Sequence, residues 1–402
     1  MAGKILYLSW GVPPDTAGST IIALNLAKQF CRSEMVLAGE RPYGRPPVNW
    51  SEVWPEVVYI QSVWPFTRRG IRWWRALQFP YALWKCLRLI RKCKIDYIVA
   101  VFPSAQFLLL GYLASRVTGR PLFPYFHNTY VENRTGLQRR LASWLQGRVF
   151  RHARHVFVMS EGMSLLFKER YPNLEQTPLL HTFNEPIPDF VPPPPVGSPM
   201  RFAFAGNVNA SCEDAMVRLS NAVIGCPDTQ LSIISGTPRR HLEELGLLRE
   251  GTSYETVSRD AVLRRLTGAD VVLLPHGLSG PIQSSEEYLT IFPTKTVEYL
   301  ICGRAILAHS TPGSFLTRFL RENDCALVVD QPEPNALREA IEHLRRNEAL
   351  RTKLVRNALR TAQRFRADRV AAEMREQLHS AMGETNSPSD RSGEQPEEVR
   401  CR

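Results

Sequence analysis

The sequence predicts two doubly wound α/β domains, each built on a parallel sheet. Three observations lead there. The chain has 402 residues, more than one hydrophobic core ordinarily serves. Short apolar, β-branched-rich runs recur along it, each followed by turn residues and a longer amphipathic stretch; such runs read as strands covered on both faces. Between two series of these runs lies NEPIPDFVPPPPVGSP, residues 184–199. Its proline density rules out a helix or a central strand and marks a stiff linker.

In the first domain, residues 1–183, strands are predicted at 4–9, 35–39, 56–60, 96–102, 122–126, 155–160 and 177–181. In the second, residues 200–360, they are predicted at 201–206, 231–236, 270–275, 304–309 and 326–330. Residues 361–382 continue a helical pattern. From Gly383 to Arg402 the chain has almost no apolar content and is expected to be disordered.

The net charge of +11 points towards anionic partners. Eight scattered cysteines form no CxxC pair, which argues against a disulfide scaffold or a zinc site and for reduced thiols in the cytoplasm. No D-x-D occurs, so paired aspartates bridging a metal to a diphosphate are not expected, and positive side chains and helix ends must neutralise phosphates instead. The strongest apolar stretch, Phe107 to Val117, is too short to span a bilayer. A soluble protein, peripheral at most, is expected.

Open α/β sheets bind ligands at the carboxyl ends of their strands, so the residues after each strand are the site candidates. After DVVLLP the chain reaches FPTKTVEYLICG, 292–303. Thr294 is predicted as N-cap, Lys295 to Cys302 as a helix, and Gly303 as its stop. The helix start, Pro293 to Thr296, suits a diphosphate. Lys295 opposes the helix dipole unless an anion sits there too, and Glu298 suits a vicinal diol such as a ribose. A surface i, i+3 pair between Lys295 and Glu298 is the competing reading. Gly18 and Ser19 can bring backbone N–H groups to a phosphate, although the loop around them matches neither GxGxxG nor a P-loop. Gly206, followed by Asn207, lets a ligand approach the backbone. His127 follows the strand LFPYF.

Residues 64–94 hold nine Arg/Lys, four tryptophans and no acid. Basic residues interleaved with aromatics fit an anionic membrane surface. A core helix with a solvated basic face is the next reading, and single-stranded nucleic acid the third.

Taken together, these residues resemble a GT-B glycosyltransferase of the family 4 type. The resemblance is sharpest in DAVLRRLTGADVVLLP and FPTKTVEYLICGRAILA, and extends to PPDTAGST, FHNTY and HVFVMSEGM in the first half. It implies a GT-B fold of two Rossmann-like domains facing a cleft, and a helix within 361–382 crossing back to the first domain. It also implies a nucleotide-sugar donor, no metal or other cofactor, and retention of anomeric configuration. Lys295 and the backbone at Pro293, Thr294 and Thr296 would lie near the diphosphate, Glu298 at the ribose, and Gly18 over the phosphates. His127 would reach the transferred sugar or the acceptor. The family's first glutamate, eight residues before Glu298, is replaced by Thr290, with Glu286 and Glu287 nearby. The basic pair usual after the first donor-domain strand is missing from GNVNASCEDA, so Arg239, Arg240 or Lys295 must supply that charge.

The expected activity is transfer from a UDP-sugar to a glycan or lipid-linked acceptor, with His127 and Lys295 as catalytic residues. No nucleic-acid partner is expected, and the location is cytoplasmic, peripheral on the inner face of the plasma membrane. A GT-B epimerase or hydrolase, and a non-catalytic GT-B partner protein, are the alternatives.

Overall fold

The computed structural model describes residues 3–13, 18–44, 53–63, 68–277 and 285–381. The tail expected to be disordered lies outside the described residues, as do positions 64–67 of the basic aromatic segment. The chain divides into two compact units.

The first unit comprises Met1–Met159, Met163–Asn184 and the chain from Arg366 onward. In chain order the elements here are β1 (Ile5–Ser9), α1 (Gly18–Ala27), β2 (Met35–Arg41), β3 (Glu56–Ser62), α2 (Arg68–Lys92) and β4 (Tyr97–Phe102). There follow α3 (Ala105–Thr118), β5 (Leu122–Phe126), α4 (Gly136–His152), β6 (Val156–Val158), α5 (Glu161–Arg170) and β7 (Gln176–Pro178). The strands form one parallel sheet in the order β3-β2-β1-β4-β5-β6-β7. β1, β4 and β5 are buried along their whole lengths, as strands covered on both faces must be.

The second unit comprises Ser160–Gly162 and Glu185–Phe365. It contains β8 (Met200–Ala205), α6 (Glu213–Ile224), β9 (Thr229–Ile234), α7 (Arg239–Glu244), β10 (Thr252–Glu255), α8 (Arg259–Leu266) and β11 (Val271–Pro275). After these come α9 (Ser285–Thr290), α10 (Lys295–Ile301), β12 (Ala305–His309), α11 (Phe315–Glu322), β13 (Leu327–Val329), α12 (Pro334–Arg346) and α13 (Glu348–Ala362). The sheet is again parallel, in the order β10-β9-β8-β11-β12-β13. Phe202, Met216, Leu219, Val271, Leu307 and Ile341 lie in its buried core. The last helix, α14 (Ala367–Ser380), belongs to the first unit. There its Arg375 donates to the Gln29 carbonyl at 2.7 Å and pairs with Glu34 at 3.2 Å.

Most strands fall where the apolar runs predicted them. β10 does not: TSYE is a polar, partly exposed edge strand, so it carries no apolar run to read. Residues 177–181 were expected as a strand, whereas β7 ends at Pro178. Among the described residues no helix is long and apolar enough to cross a membrane.

Two contacts fix α10. The Tyr299 hydroxyl accepts the Ala205 N–H at 2.8 Å and donates to the Ala205 carbonyl at 3.0 Å, tying the helix to the end of β8. Ahead of the helix, buried Phe292 stacks on Phe365 with ring centroids 5.5 Å apart and meets Phe319 edge-on at 5.1 Å. Gly303, at φ 67°, takes the left-handed conformation that ends the helix and turns the chain into β12.

Candidate functional site

Strand order in the second sheet reverses between β8 and β11. Open α/β sheets bind ligands at such a switch point. Gly206 follows β8 with φ 130°. A Cβ there would lie 3.2 Å from Lys295 Cε and 3.3 Å from Nζ, so the lysine side chain lies along the glycine. Lys295 Nζ stands 4.3 Å from the centroid of the Phe204 ring, a cation–π contact. Burial pulls the Lys295 pKa below the ordinary lysine value, against the opposing pull of Cys212 and Glu298. Among the described residues Nζ makes no hydrogen bond or ion pair. The mouth of this sheet therefore holds a desolvated cation with no counter-ion, which an anionic ligand would supply.

One turn along α10, Glu298 is paired elsewhere. Its Oε1 lies 2.5 Å from the Arg259 guanidinium, at the start of α8. The surface pair between Lys295 and Glu298 does not form. Burial lifts the Glu298 carboxyl above its usual range and Arg259 works against that. The second oxygen, Oε2, makes no hydrogen bond among the described residues, so it can accept from a ligand hydroxyl.

The surrounding loops are stitched together. The His276 ring donates through Nε2 to the Tyr288 carbonyl at 3.0 Å, which fixes the tautomer and leaves Nδ1 unprotonated. Burial, with a contribution from Lys295, pushes the His276 pKa down to about 4, so the ring is neutral near pH 7. A Cβ at Gly277 would lie 2.6 Å from Asp214 Oδ1 and 3.0 Å from the Ser211 carbonyl. The loop after β11 thus packs against the segment after β8 so closely that only glycine fits.

Thr294 was expected to cap α10 through its side chain. Instead its backbone is already helical, at φ −57° and ψ −34°, and the hydroxyl makes no capping bond. The Thr296 N–H donates to the Pro293 carbonyl at 3.0 Å, and Thr296 Oγ1 is buried without a partner among the described residues. Asn207 is exposed beside Gly206, with Oδ1 near Gly236. Arg239 and Arg240 form exposed i, i+4 pairs with Glu243 and Glu244, both at 2.9 Å. Thr290, where the family's first glutamate would stand, donates to the Glu286 carbonyl at 3.0 Å.

The remaining candidates belong to the first unit. Gly18 and Ser19 open α1, so their N–H groups are among those a helix start leaves without intrahelical partners. His127 follows β5, with its N–H donating to the Phe102 carbonyl at 3.0 Å. Its side chain is buried against Tyr125, rings 4.3 Å apart, and neither ring nitrogen has a partner among the described residues. Burial and the neighbouring His181 push its pKa down to about 3, so the ring stays neutral. Among the described residues no group of three or more His, Cys, Asp or Glu could hold a metal ion.

Residues 18–181 match the family model of the glycosyl transferase 4-like domain. Solved structures match over nearly the whole chain. The sucrose-phosphate synthase of Thermosynechococcus elongatus is 14% identical, with 95% of this chain and 99% of that one covered at a TM-score of 0.73. The chain has the GT-B fold. HepE of Anabaena, in complex with UDP and glucose, is 16% identical to this GT-B chain, with 94% and 100% covered and a TM-score of 0.67. The lipopolysaccharide outer core galactosyltransferase WaaB, in its apo form, is 14% identical, with 94% and 99% covered at 0.58. No curated protein matches the sequence. At such identities the structural likeness establishes the GT-B architecture alone.

Sequence reasoning missed Arg259, Phe204 and His276. His276 was within reach, because it directly follows a correctly predicted strand. Arg259 was not, since it follows β10, the strand without an apolar run.

Proposed function

We propose that this GT-B glycosyltransferase moves a sugar from a nucleoside-diphosphate sugar, a UDP-sugar, to a hydroxyl of a glycan or lipid-linked acceptor. The observation that carries this reading is Lys295: a cation with no ion pair among the described residues, lying along Gly206 at the switch point of the second sheet. Negative charge grows on the leaving diphosphate as the glycosidic bond breaks, and a cation already desolvated and in place stabilises it without reorganisation. Lys295 takes this role, with Gly206 and Asn207 admitting the phosphates to the backbone and Pro293, Thr294 and Thr296 beside them. Glu298, oriented by Arg259, accepts from the ribose hydroxyls. The HepE complexes with UDP and with UDP-glucose favour uridine as the base.

In the first unit, Gly18 and Ser19 offer helix-start N–H groups to an anion. His127 offers a neutral imidazole with both nitrogens uncommitted, suited to a sugar or acceptor hydroxyl. Metal independence and retention of configuration are part of the proposal: turnover is expected to survive EDTA, and proton NMR of the first product to show the donor's anomeric configuration.

Isothermal titration with UDP and UDP-sugars, followed by a diphosphate-release assay, tests the reading. Wild type should bind and turn over, and Lys295→Ala and Glu298→Ala should lose both while keeping their folds. Unchanged turnover in both variants would remove the assignment. One observation favours a second reading, a nucleotide-binding partner protein without turnover: Thr290 stands in place of an acid and its hydroxyl is bonded back to its own helix. UDP binding with no diphosphate release against any acceptor would select it.

A further inference from the structure

The first sheet has its own switch point, between β1 and β4, and what lies there is apolar. A cavity of about 780 Å³ is lined by Trp10 after β1, Pro103 after β4, Ala76 and Phe79 of α2, Leu109 of α3 and Leu145 of α4. The one charged residue in its wall, Arg75, is already paired with buried Glu40 at 2.9 Å. Gln106, also in the wall, donates to Gln61 Oε1 at 2.8 Å and to the Arg75 carbonyl at 3.1 Å. Arg75 and Gln106 are thus satisfied within the protein, Trp10 Nε1 is buried without a partner among the described residues, and the rest of the space, walled by Ala76, Phe79, Pro103, Leu109 and Leu145, suits a hydrocarbon chain.

The helices flanking this cavity are apolar on their outward sides as well. On α2, Trp73, Leu77, Tyr81 and Trp84 recur at helical spacing and are exposed, the first two by 75% and 73%. On α4, Leu137, Leu141 and Trp144 do the same, with Leu137 71% exposed. Exposed aliphatic and aromatic side chains in such register, on two helices bordering one cavity, need an apolar cover.

Charge indicates what covers them. α2 carries eight basic residues, α4 four, and neither contains an acid; α3 between them contains none either. Several cations sit directly on the exposed rings. Lys85 Nζ is 4.7 Å from the Tyr81 centroid, the Arg88 guanidinium 5.5 Å from Trp84, and that of Arg148 4.5 Å from Trp144. Aromatic rings topped by cations and flanked by leucines match the boundary between anionic head groups and acyl chains. Nucleic acid would use the rings and cations but leave Leu77, Leu137 and Leu141 in water.

We propose that this face of α2 and α4 seats the first unit on an anionic lipid bilayer, with the cavity between them taking an apolar chain from it. The proposal deepens the lipid-linked branch of the acceptor reading and rests on that reading only for which chain is acted on.

The test is co-sedimentation of the full chain with vesicles of phosphatidylcholine alone or mixed with phosphatidylglycerol. Wild type is expected to bind the mixed vesicles and to leave them at high salt. Leu77→Glu/Leu141→Glu should bind them about a hundredfold more weakly, roughly tenfold for each leucine withdrawn from the interface. Phosphatidylglycerol brominated on its chains should quench tryptophan fluorescence, with part of the quenching lost in Trp10→Phe. Failure of wild type to bind, equal binding by the double variant, or quenching unchanged by Trp10→Phe would overturn the proposal. So would a wild-type dimer that the double variant dissociates, which would assign the face to a second copy. UDP affinity, measured on the same samples, is expected unchanged in the double variant, so a failed lipid test and a failed donor assignment are told apart.

Discussion

The two sheets share a strand order around their switch points, yet their mouths are chemical opposites. In the first sheet the mouth is an apolar cavity whose one wall cation, Arg75, is neutralised by Glu40. In the second, Lys295 lies beside Gly206 with no ion pair among the described residues, and the paired carboxylate Glu298 keeps one oxygen uncommitted among them. Topology supplies the location of a site, and a handful of side chains at the strand ends decides what the site can hold. The difference comes down to where a cation finds its partner.

Removing the uncompensated cation should produce the largest effect. Lys295→Ala is expected to lower turnover by about 10²–10³-fold, the usual consequence of deleting a preorganised charge aimed at a developing anion. The apolar mouth should be indifferent to the same kind of change: Leu109→Ala should leave UDP affinity untouched. Calorimetry on the two variants sharpens the contrast, and equal losses in both would break it.

Glu298→Gln should follow, with UDP affinity reduced by roughly tenfold to a hundredfold as a charged acceptor for the ribose is lost. Its partner gives a directional test. Burial raises the Glu298 pKa and Arg259 holds it back, so Arg259→Ala should raise it further. The carboxylate would then be lost on acidification sooner than in wild type. On acidification, UDP binding by Arg259→Ala should therefore begin to fall at a higher pH than wild-type binding does.

A smaller effect is expected at Gly206. The added methyl of Gly206→Ala would meet the flexible end of Lys295 rather than backbone, but φ 130° is strained for any L side chain. About 1–2 kcal/mol of stability and a several-fold loss of UDP affinity are expected, read by chemical denaturation and titration.

The last prediction concerns pH and stability. His276 has a folded pKa of about 4 against 6.5 for the free side chain. In the unfolded chain it takes up a proton first, so its contribution is fully present above pH 6.5 and is lost as pH falls towards 4. The loss should approach about 3 kcal/mol. His276→Gln should flatten that part of a stability profile measured by denaturant titration.

Much of this was legible in the sequence because strands buried on both faces must be continuously apolar, and β4, β5 and β11 are. The carboxyl-end rule marks Gly206, Lys295 and Glu298 as site candidates from the sequence alone. What stayed hidden depends on three-dimensional partners. That Glu298 pairs with Arg259 rather than Lys295 follows from where α8 packs, 39 residues earlier in the chain and after a polar edge strand. The stripe on α2 was visible as a basic aromatic run. The apolar residues of α4 were not, because the exposure of Leu137, Leu141 and Trp144 is set by the packing of that helix.

The central claim is that the second sheet's mouth grips a nucleoside diphosphate through Lys295 and Glu298. A crystal structure of the full chain with UDP tests it most directly. Phosphate oxygens are expected about 3 Å from Lys295 Nζ, and ribose hydroxyls at a similar distance from Glu298. UDP bound elsewhere, or bound here with Lys295 still stacked on Phe204 and out of reach of phosphate, would contradict it.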